Sequence, residues 1–268
     1  MIDFHIHILP GIDDGSQNWD ETMKLARQSA DFGITHLVAT PHGSSESLAV
    51  LLPKRDKLIV ELRERLQAEQ IPLTILPGLE YSADGHSSDA ALAKPESRCG
   101  SPEIQNRPML VELPFTVNLD FAANLLFNAQ IKNVTLILAH PERYDGFLKK
   151  IDFLKDLMDK GLYLQFNSNN FKGGFLHNSI PKAILKLIEH DKEQVIIGSD
   201  AHHPEYRPPV CLTHGKKSRI PSEKMPGRSS PMKRLHDFLA SNDIRLSLYP
   251  PRHQVASIHD IINTDAQS

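Results

Sequence analysis

Residues 2–15 read Ile-Asp-Phe-His-Ile-His-Ile-Leu-Pro-Gly-Ile-Asp-Asp-Gly. The run Ile2–His7, in which Ile2, Phe4 and Ile6 alternate with Asp3, His5 and His7, opens a series of seven short runs that are mostly continuous in apolar residues. That pattern suits a strand buried on both faces, as in a parallel sheet. The first run ends in His5-Ile6-His7. Alternate residues of a strand share a side, so both imidazoles can face one metal ion. The loop Gly11-Ile12-Asp13-Asp14-Gly15 is rich in turn formers and brings Asp14 behind them.

Six similar runs follow: His36–Thr40, Leu73–Leu79, Met109–Leu113, Val134–Ala139, Leu162–Phe166 and Gln194–Gly198. Between them lie stripes at helical spacing. Trp19, Met23, Ala26 and Ala30 form the first, with Asn18 and Glu21 as an N-terminal capping pair and Gly33 as a stop. Leu58, Leu62 and Leu66 form the second, and Leu125, Ala129 and Lys132 lie in the third. Ile151, Leu154 and Leu157 start a fourth, and Ile184, Leu187 and Ile188 a fifth. Strand alternating with helix predicts a βα-repeat α/β fold. Seven strands are visible where a complete TIM barrel needs eight. The expectation is therefore a distorted seven-stranded (β/α)7 TIM-like barrel, with a doubly wound open sheet as runner-up. The 268 residues are read as one domain.

Composition narrows the classes. Hydrophobic residues at 40% and charged residues at 24% argue against wholesale disorder. No apolar stretch is long enough for a membrane span, and no secretory leader is visible. A net charge of −3 gives no reason to expect nucleic acid. Two cysteines, Cys99 and Cys211, build no disulfide framework, so a cytoplasmic setting is expected. From Lys216 to Arg234 the chain carries seven basic residues and one acid, among prolines and glycine. The plain expectation there is a solvated basic loop, at about 211–231; the sharper one is a docking surface for an acidic or phosphorylated partner.

The 14 histidines decide the chemistry by their placement. The second run ends at Thr40-Pro41-His42, the third at Gly78-Leu79-Glu80, and the fourth contains Val111-Glu112-Leu113. The fifth ends at Ala139-His140-Pro141 and the seventh at Ser199-Asp200-Ala201-His202. In parallel βα folds these ends gather at one mouth. His5, His7, Asp14, His42, Glu80, Glu112, His140, Asp200 and His202 therefore converge. One strand-end His or Asp is more often a cap or a satisfied polar contact than a ligand. Nine together, with few cations to offset them, would be costly to bury without a metal. Mixed imidazole and carboxylate donors suit Zn, Mn or Fe, and nine are too many for one ion. Two or three bridged ions fit better, and such ions can clamp both oxygens of an in-line phosphoryl displacement.

The ordered set of motifs resembles the PHP (polymerase and histidinol phosphatase) superfamily. Leu-Pro-Gly-Ile-Asp-Asp-Gly15, Val-Glu-Leu-Pro-Phe115, His140-Pro-Glu-Arg-Tyr144 and Asp200-Ala-His-His with Arg207-Pro-Pro209 narrow it. They resemble the CpsB/YwqE-like bacterial protein-tyrosine phosphatases associated with capsule and exopolysaccharide synthesis. The resemblance runs from Met1 to about Pro209. It implies a trinuclear centre: His5, His7, Glu80 and Asp200 on one ion, Glu80, Glu112 and His140 on a second, and Asp14, His42 and His202 on a third. It also implies manganese as the usual metal (Fe, Co or Zn being open), and Arg143 and Arg207 as the grip on the phosphate. The implied activity is hydrolysis of phosphotyrosine by a metal-bound hydroxide, on an autophosphorylated bacterial tyrosine kinase. Cysteine-dependent tyrosine phosphatases need Cys, five residues, then Arg; Cys99 meets Gln105 and Cys211 meets Lys217.

Other readings stay open on residues alone. A PHP phosphatase of a small phosphomonoester such as histidinol phosphate would keep the same donors. A nuclease or proofreading module, a silent binding module and a carbamate-bridged amidohydrolase fit less well. Four stretches depart from the resembled pattern: Leu164–Phe171 in the sixth run and the loop it leads into, Gly43 after His42, the polar segment Asp84–Arg107, and the basic stretch after Pro209. None removes a candidate ligand.

Overall fold

The computed structural model of the chain describes residues 1–83, 91–104, 106–114, 119–144, 146–171 and 182–209. All seven runs are strands, in the order read from the sequence. They are β1 (Ile2–Ile6), β2 (His36–Ala39), β4 (Thr74–Pro77), β6 (Met109–Glu112), β7 (Leu136–Ala139), β8 (Tyr163–Asn167) and β9 (Val195–Gly198). Two short strands continue the second and third runs, β3 (His42–Gly43) and β5 (Glu80–Ser82). The helices are α1 (Trp19–Asp31), α2 (Leu48–Ala68), α3 (Leu119–Ile131), α4 (Ile151–Asp159) and α5 (Lys182–His190).

The strands form two parallel sheets, ordered β1-β2-β4 and β3-β5-β6-β7-β8-β9. The described strands are thus hydrogen-bonded as two parallel sheets and not as one continuous sheet. The reason is local: the second run breaks at Thr40-Pro41 and the third after Pro77, at Gly78-Leu79. Proline has no N–H to give a ladder. Hydrogen bonds nevertheless carry each ladder into the breaks. Glu80 N donates to Pro41 O at 3.1 Å, and Thr40 N to Ile6 O at 3.0 Å. At the other edge Asp200 N donates to His5 O at 2.7 Å and His7 N to Ala201 O at 2.9 Å. Strand order within each sheet follows the chain without the reversal a doubly wound sheet requires.

Helix α1 starts as its capping pair predicts. Asn18 Oδ1 accepts from Glu21 N at 3.0 Å and Glu21 Oε1 accepts from Asn18 Nδ2 at 2.8 Å. Gly33 follows the helix at φ +79°, a conformation that favours glycine. Helix α2 begins well before its leucine stripe and contains Pro53 in its first turns. The helices cover the outer sheet faces through Leu25, Leu62, Leu125, Leu154 and Leu187, all buried. A separate inner cluster joins Ile2, Phe4, Val38, Leu76, Leu110, Ile137 and Ile196. Ile6 instead packs with α1 and α2 residues in an outer cluster. Between Asp3 and Ile6 the β1–β2 register slips, a bulge. Bulges re-aim side chains, so Phe4 serves the inner core while His5 and His7 supply the site. Gly198 leaves the room for this: a Cβ there would lie 2.7 Å from His5 Cβ.

The basic stretch 211–231, Lys216–Arg234, Cys211 and residues 84–90 of the polar segment fall outside the described residues. Among the described residues no helix is long and apolar enough to cross a membrane.

Candidate metal centre

All nine candidate ligands converge where the strands end. His5, His7, Glu80 and His140 are fully buried, His42 is half-buried and Asp14 lies at the open rim. Glu80 sits at the middle. Its Oε1 is 2.7 Å from His140 Nε2. Its Oε2 is 3.1 Å from His5 Nε2, His7 Nε2 and His42 Nδ1. Asp200 Oδ1 lies 3.5 Å from His5 Nε2 and 3.6 Å from His7 Nε2. Glu112 Oε1 lies 3.6 Å from His140 Nε2, and its Oε2 3.7 Å from His42 Nδ1. Asp14 Oδ1 lies 3.4 Å from His42 Nε2 and 3.5 Å from His202 Nε2.

Most of these separations match the edge lengths of a coordination polyhedron. Ligands at roughly 2.0–2.2 Å from a shared ion stand about 3.0–3.6 Å apart. Four sets of donors bring all their ligand atoms within 4.8 Å of one another: His7-Asp14-His42-His202, His5-His7-Asp200, His5-Glu80-His140 and His42-Glu80-Glu112. The sets overlap, since His5, His7, His42 and Glu80 each belong to two, which suits neighbouring ions with shared edges. The polar accounting agrees. Asp200 Oδ1 and His202 Nε2 are buried without a hydrogen-bond partner. Such groups are rare and costly in folded proteins unless something outside the chain satisfies them. The donor chemistry and the orphaned atoms fit a divalent metal.

A surrounding layer orients the donors. His7 Nδ1 donates to Asp13 Oδ2 at 2.8 Å, leaving Nε2 toward the centre. Asp13 also accepts from the backbone N–H of His42 and Gly15. His5 Nδ1 donates to Gln165 Oε1 at 2.7 Å. Gln165 Nε2 donates to Asn167 Oδ1 at 3.1 Å, and Asn167 Nδ2 donates to Asp200 Oδ2 at 2.6 Å. This chain ties two candidate ligands together across β8, the strand that carries no ligand itself. Such partners set imidazole tautomers in metal sites. Sequence reading passed over Asp13, Gln165 and Asn167 as functional residues. Gln165, a polar residue inside the otherwise apolar run Leu162–Phe166, was the available signal. Two candidate ligands hold left-handed backbone, His140 at φ +32° and Asp200 at φ +52°. For residues other than glycine this costs about 1–3 kcal/mol each and is typical of functional sites.

Arg207 touches Asp200 Oδ2, and Arg143 Nη1 lies 3.6 Å from the same oxygen. Asp200 thus turns one oxygen to the histidines and the other to both arginines. Cys99 is buried, and burial pushes its thiol up, away from the reactive thiolate. A separate cleft of about 940 Å³ lies against α2 and the 95–107 segment. Its arginines Arg55, Arg63 and Arg107 donate to backbone carbonyls, which gives them a structural task.

Charge in the cluster is balanced by protons when no cation is there. Burial opposes charge on His7, but its bonds to Asp13 and Glu80 win and carry its pKa from the ordinary 6.5 up to about 10. Burial also works against the Asp200 carboxylate, yet His5 and His7 hold it down at about 2. Burial, with His7 and Arg207 nearby, pushes His202 down to about 4. The charged His7 stabilises the metal-free fold fully below about pH 6.5 and loses that contribution as pH rises through about 10. A cation needs the neutral ring. Adding a divalent cation near pH 7 should therefore release about one proton or more per chain, and binding should tighten toward pH 10. A pH-stat titration measures this; saturable binding with no proton release would contradict it.

Comparison with known proteins gives the same direction. The chain is 30% identical over 207 residues to tyrosine-protein phosphatase YwqE of Bacillus subtilis, covering 77% of this chain and 79% of that one. It is 27% identical over 215 residues to tyrosine-protein phosphatase CpsB of Streptococcus pneumoniae, covering 78% and 86%. A solved structure from work on B. subtilis YwqE and S. pneumoniae CpsB, described as metal-dependent tyrosine phosphatases, matches with a TM-score of 0.65 at 30% identity, over 78% of this chain and 82% of that one. The family model described as capsular polysaccharide synthesis, CpsB/CapC, matches residues 1–220. The chain whose strand ends gather these nine donors belongs to the CpsB/CapC family of capsular polysaccharide synthesis.

Proposed function

We propose that this chain is a metal-dependent protein-tyrosine phosphatase. The observation that carries the reading is the convergence of four histidines on the buried Glu80 carboxylate beside the unpartnered donor atoms of Asp200 and His202, with two arginines on the far oxygen of Asp200. In this reading residues 1–268 form one PHP domain with a closed (β/α)7 barrel. His5, His7, Glu80 and Asp200 hold one divalent ion, Glu80, Glu112 and His140 a second, and Asp14, His42 and His202 a third, with manganese the expected metal. Bound there, divalent ions would supply Lewis-acid charge and acidify water at phosphorus. Arg143 and Arg207 grip the phosphoryl oxygens, a task that suits the guanidinium fork. Asp13 and Gln165 keep the protons of His7 and His5 on Nδ1. The substrate is a phosphotyrosine on a protein partner, a bacterial tyrosine kinase of capsule or exopolysaccharide synthesis, met in the cytoplasm.

The relatives named above are tyrosine phosphatases, which favours this reading over the histidinol phosphatase alternative. Protein loaded with Mn should release phosphate from a phosphotyrosyl peptide at least about 10-fold faster than from histidinol phosphate at equal concentration, and a chelator should cut the rate by about 100-fold or more. A higher rate on histidinol phosphate would keep the centre and overturn the substrate. Full activity in excess chelator would overturn the metal chemistry.

A further inference from the structure

The turn that follows the last candidate ligand carries a feature the reading above does not use. His202 N donates to Arg207 O at 3.0 Å, and His203 pairs with Arg207 in an antiparallel bridge. This closes residues 203–207 into a tight turn. Inside it His203 Nδ1 accepts from Glu205 N at 3.1 Å and from Tyr206 N at 3.4 Å. The imidazole is thereby fixed, with its N–H on Nε2. The Tyr206 ring stacks on it, with centroids 4.6 Å apart and planes 27° apart. Pro204 O accepts from Gln28 Nε2 at 3.0 Å, which ties the turn to α1. Tyr206 is nevertheless 85% exposed, the highest exposure among the large apolar and aromatic side chains of the described residues. A large ring held rigid by its neighbour and open to solvent is the arrangement aromatic contact surfaces use, because little side-chain freedom is lost on binding.

We infer that His203 and Tyr206 form an aromatic shelf at the rim of the centre, on which the polypeptide flanking the phosphotyrosine packs. The inference rests on the phosphatase reading. Tyr206 precedes Arg207, whose guanidinium reaches Asp200. An extended arginine spans roughly 6–7 Å from Cα to guanidinium, and a gripped phosphorus stands roughly 4 Å beyond it. A phosphotyrosine spans roughly 8 Å from phosphorus to its own Cα. A ring on the turn between His202 and Arg207 is therefore within reach of the substrate's main chain and neighbouring side chain. A small aryl phosphate such as p-nitrophenyl phosphate ends short of that main-chain position. The shelf selects a polypeptide and not the phosphate or the aryl ring.

The test compares wild type, Tyr206→Ala and Tyr206→Phe, each loaded with Mn, on a phosphotyrosyl peptide and on p-nitrophenyl phosphate. Tyr206→Ala should raise KM for the peptide about 3- to 10-fold, the range one aromatic contact supplies, with kcat unchanged. Its kinetics on p-nitrophenyl phosphate should match wild type, and Tyr206→Phe should behave as wild type on both. Unchanged peptide KM in Tyr206→Ala overturns the shelf alone, since wild type then still hydrolyses the peptide. An equal loss on both substrates also overturns it, because the turn then only positions Arg207. Wild type that hydrolyses p-nitrophenyl phosphate but no phosphotyrosyl peptide overturns the shelf and the phosphatase reading together.

Discussion

Glu80→Gln is expected to lower turnover of a phosphotyrosyl peptide by about 1000-fold or more while the fold persists. A factor of that size corresponds to about 4 kcal/mol of transition-state stabilisation. The substitution is nearly isosteric, so packing at this fully buried position is kept. What goes is the negative charge at the meeting point of His5, His7, His42 and His140. Burial opposes that charge, but His5 and the hydrogen bonds from the histidines hold the Glu80 carboxyl well below its ordinary 4.5. In the metal-free protein this contribution is present above about pH 4.5 and lost on acidification below it. Two of the four donor sets include Glu80. Metal content should therefore fall with activity, while circular dichroism at neutral pH stays native. Bound metal and activity both within 10-fold of wild type would remove Glu80 from the centre.

Arg207→Lys should cost about 100-fold in kcat/KM and Arg207→Ala about 1000-fold, with bound metal unchanged. Removing one preorganised donor from a developing oxyanion typically costs 100- to 1000-fold, about 2.7–4 kcal/mol. Lysine keeps the charge and loses the two-pronged geometry, hence the smaller loss. Metal analysis matters here because Arg207 rests on Asp200, a candidate ligand. A loss of activity with full metal content places the arginine on the phosphate. A loss of metal in step with activity would instead make it a support of Asp200. Less than about 3-fold loss with full metal would deny it either role.

Much of this was legible in the residues. The seven apolar runs match seven strands to within about two residues, because a strand buried on both faces must be continuously apolar whatever its partners. The Asn18–Glu21 cap was legible because it is closed within four residues. The nine donors were legible because parallel βα units bring strand ends to one mouth, so position at a strand end stands in for position in space. The pattern breaks at Pro41 and Pro77 were in plain view too, but their consequence was not: whether a proline interrupts a ladder depends on which strand lies beside it.

What remained unread depends on register between distant segments. Asp13 and Asp14 are adjacent in a loop and equivalent in the sequence, yet one accepts from His7 and the backbone N–H of His42 while the other faces His42 and His202 at the rim. Gln165 and Asn167 look like ordinary polar residues until β8 pairs with β9 and β1 comes within reach, where they join His5 to Asp200. The slip in β1 that gives Phe4 to the inner core and the histidines to the site leaves no mark in the alternation of Ile2–His7. Local composition and periodicity are properties of a few neighbouring residues and survive in the sequence. Which atom lies about 3 Å from which is settled by strand register and packing over more than a hundred residues of chain, and only the folded molecule expresses that.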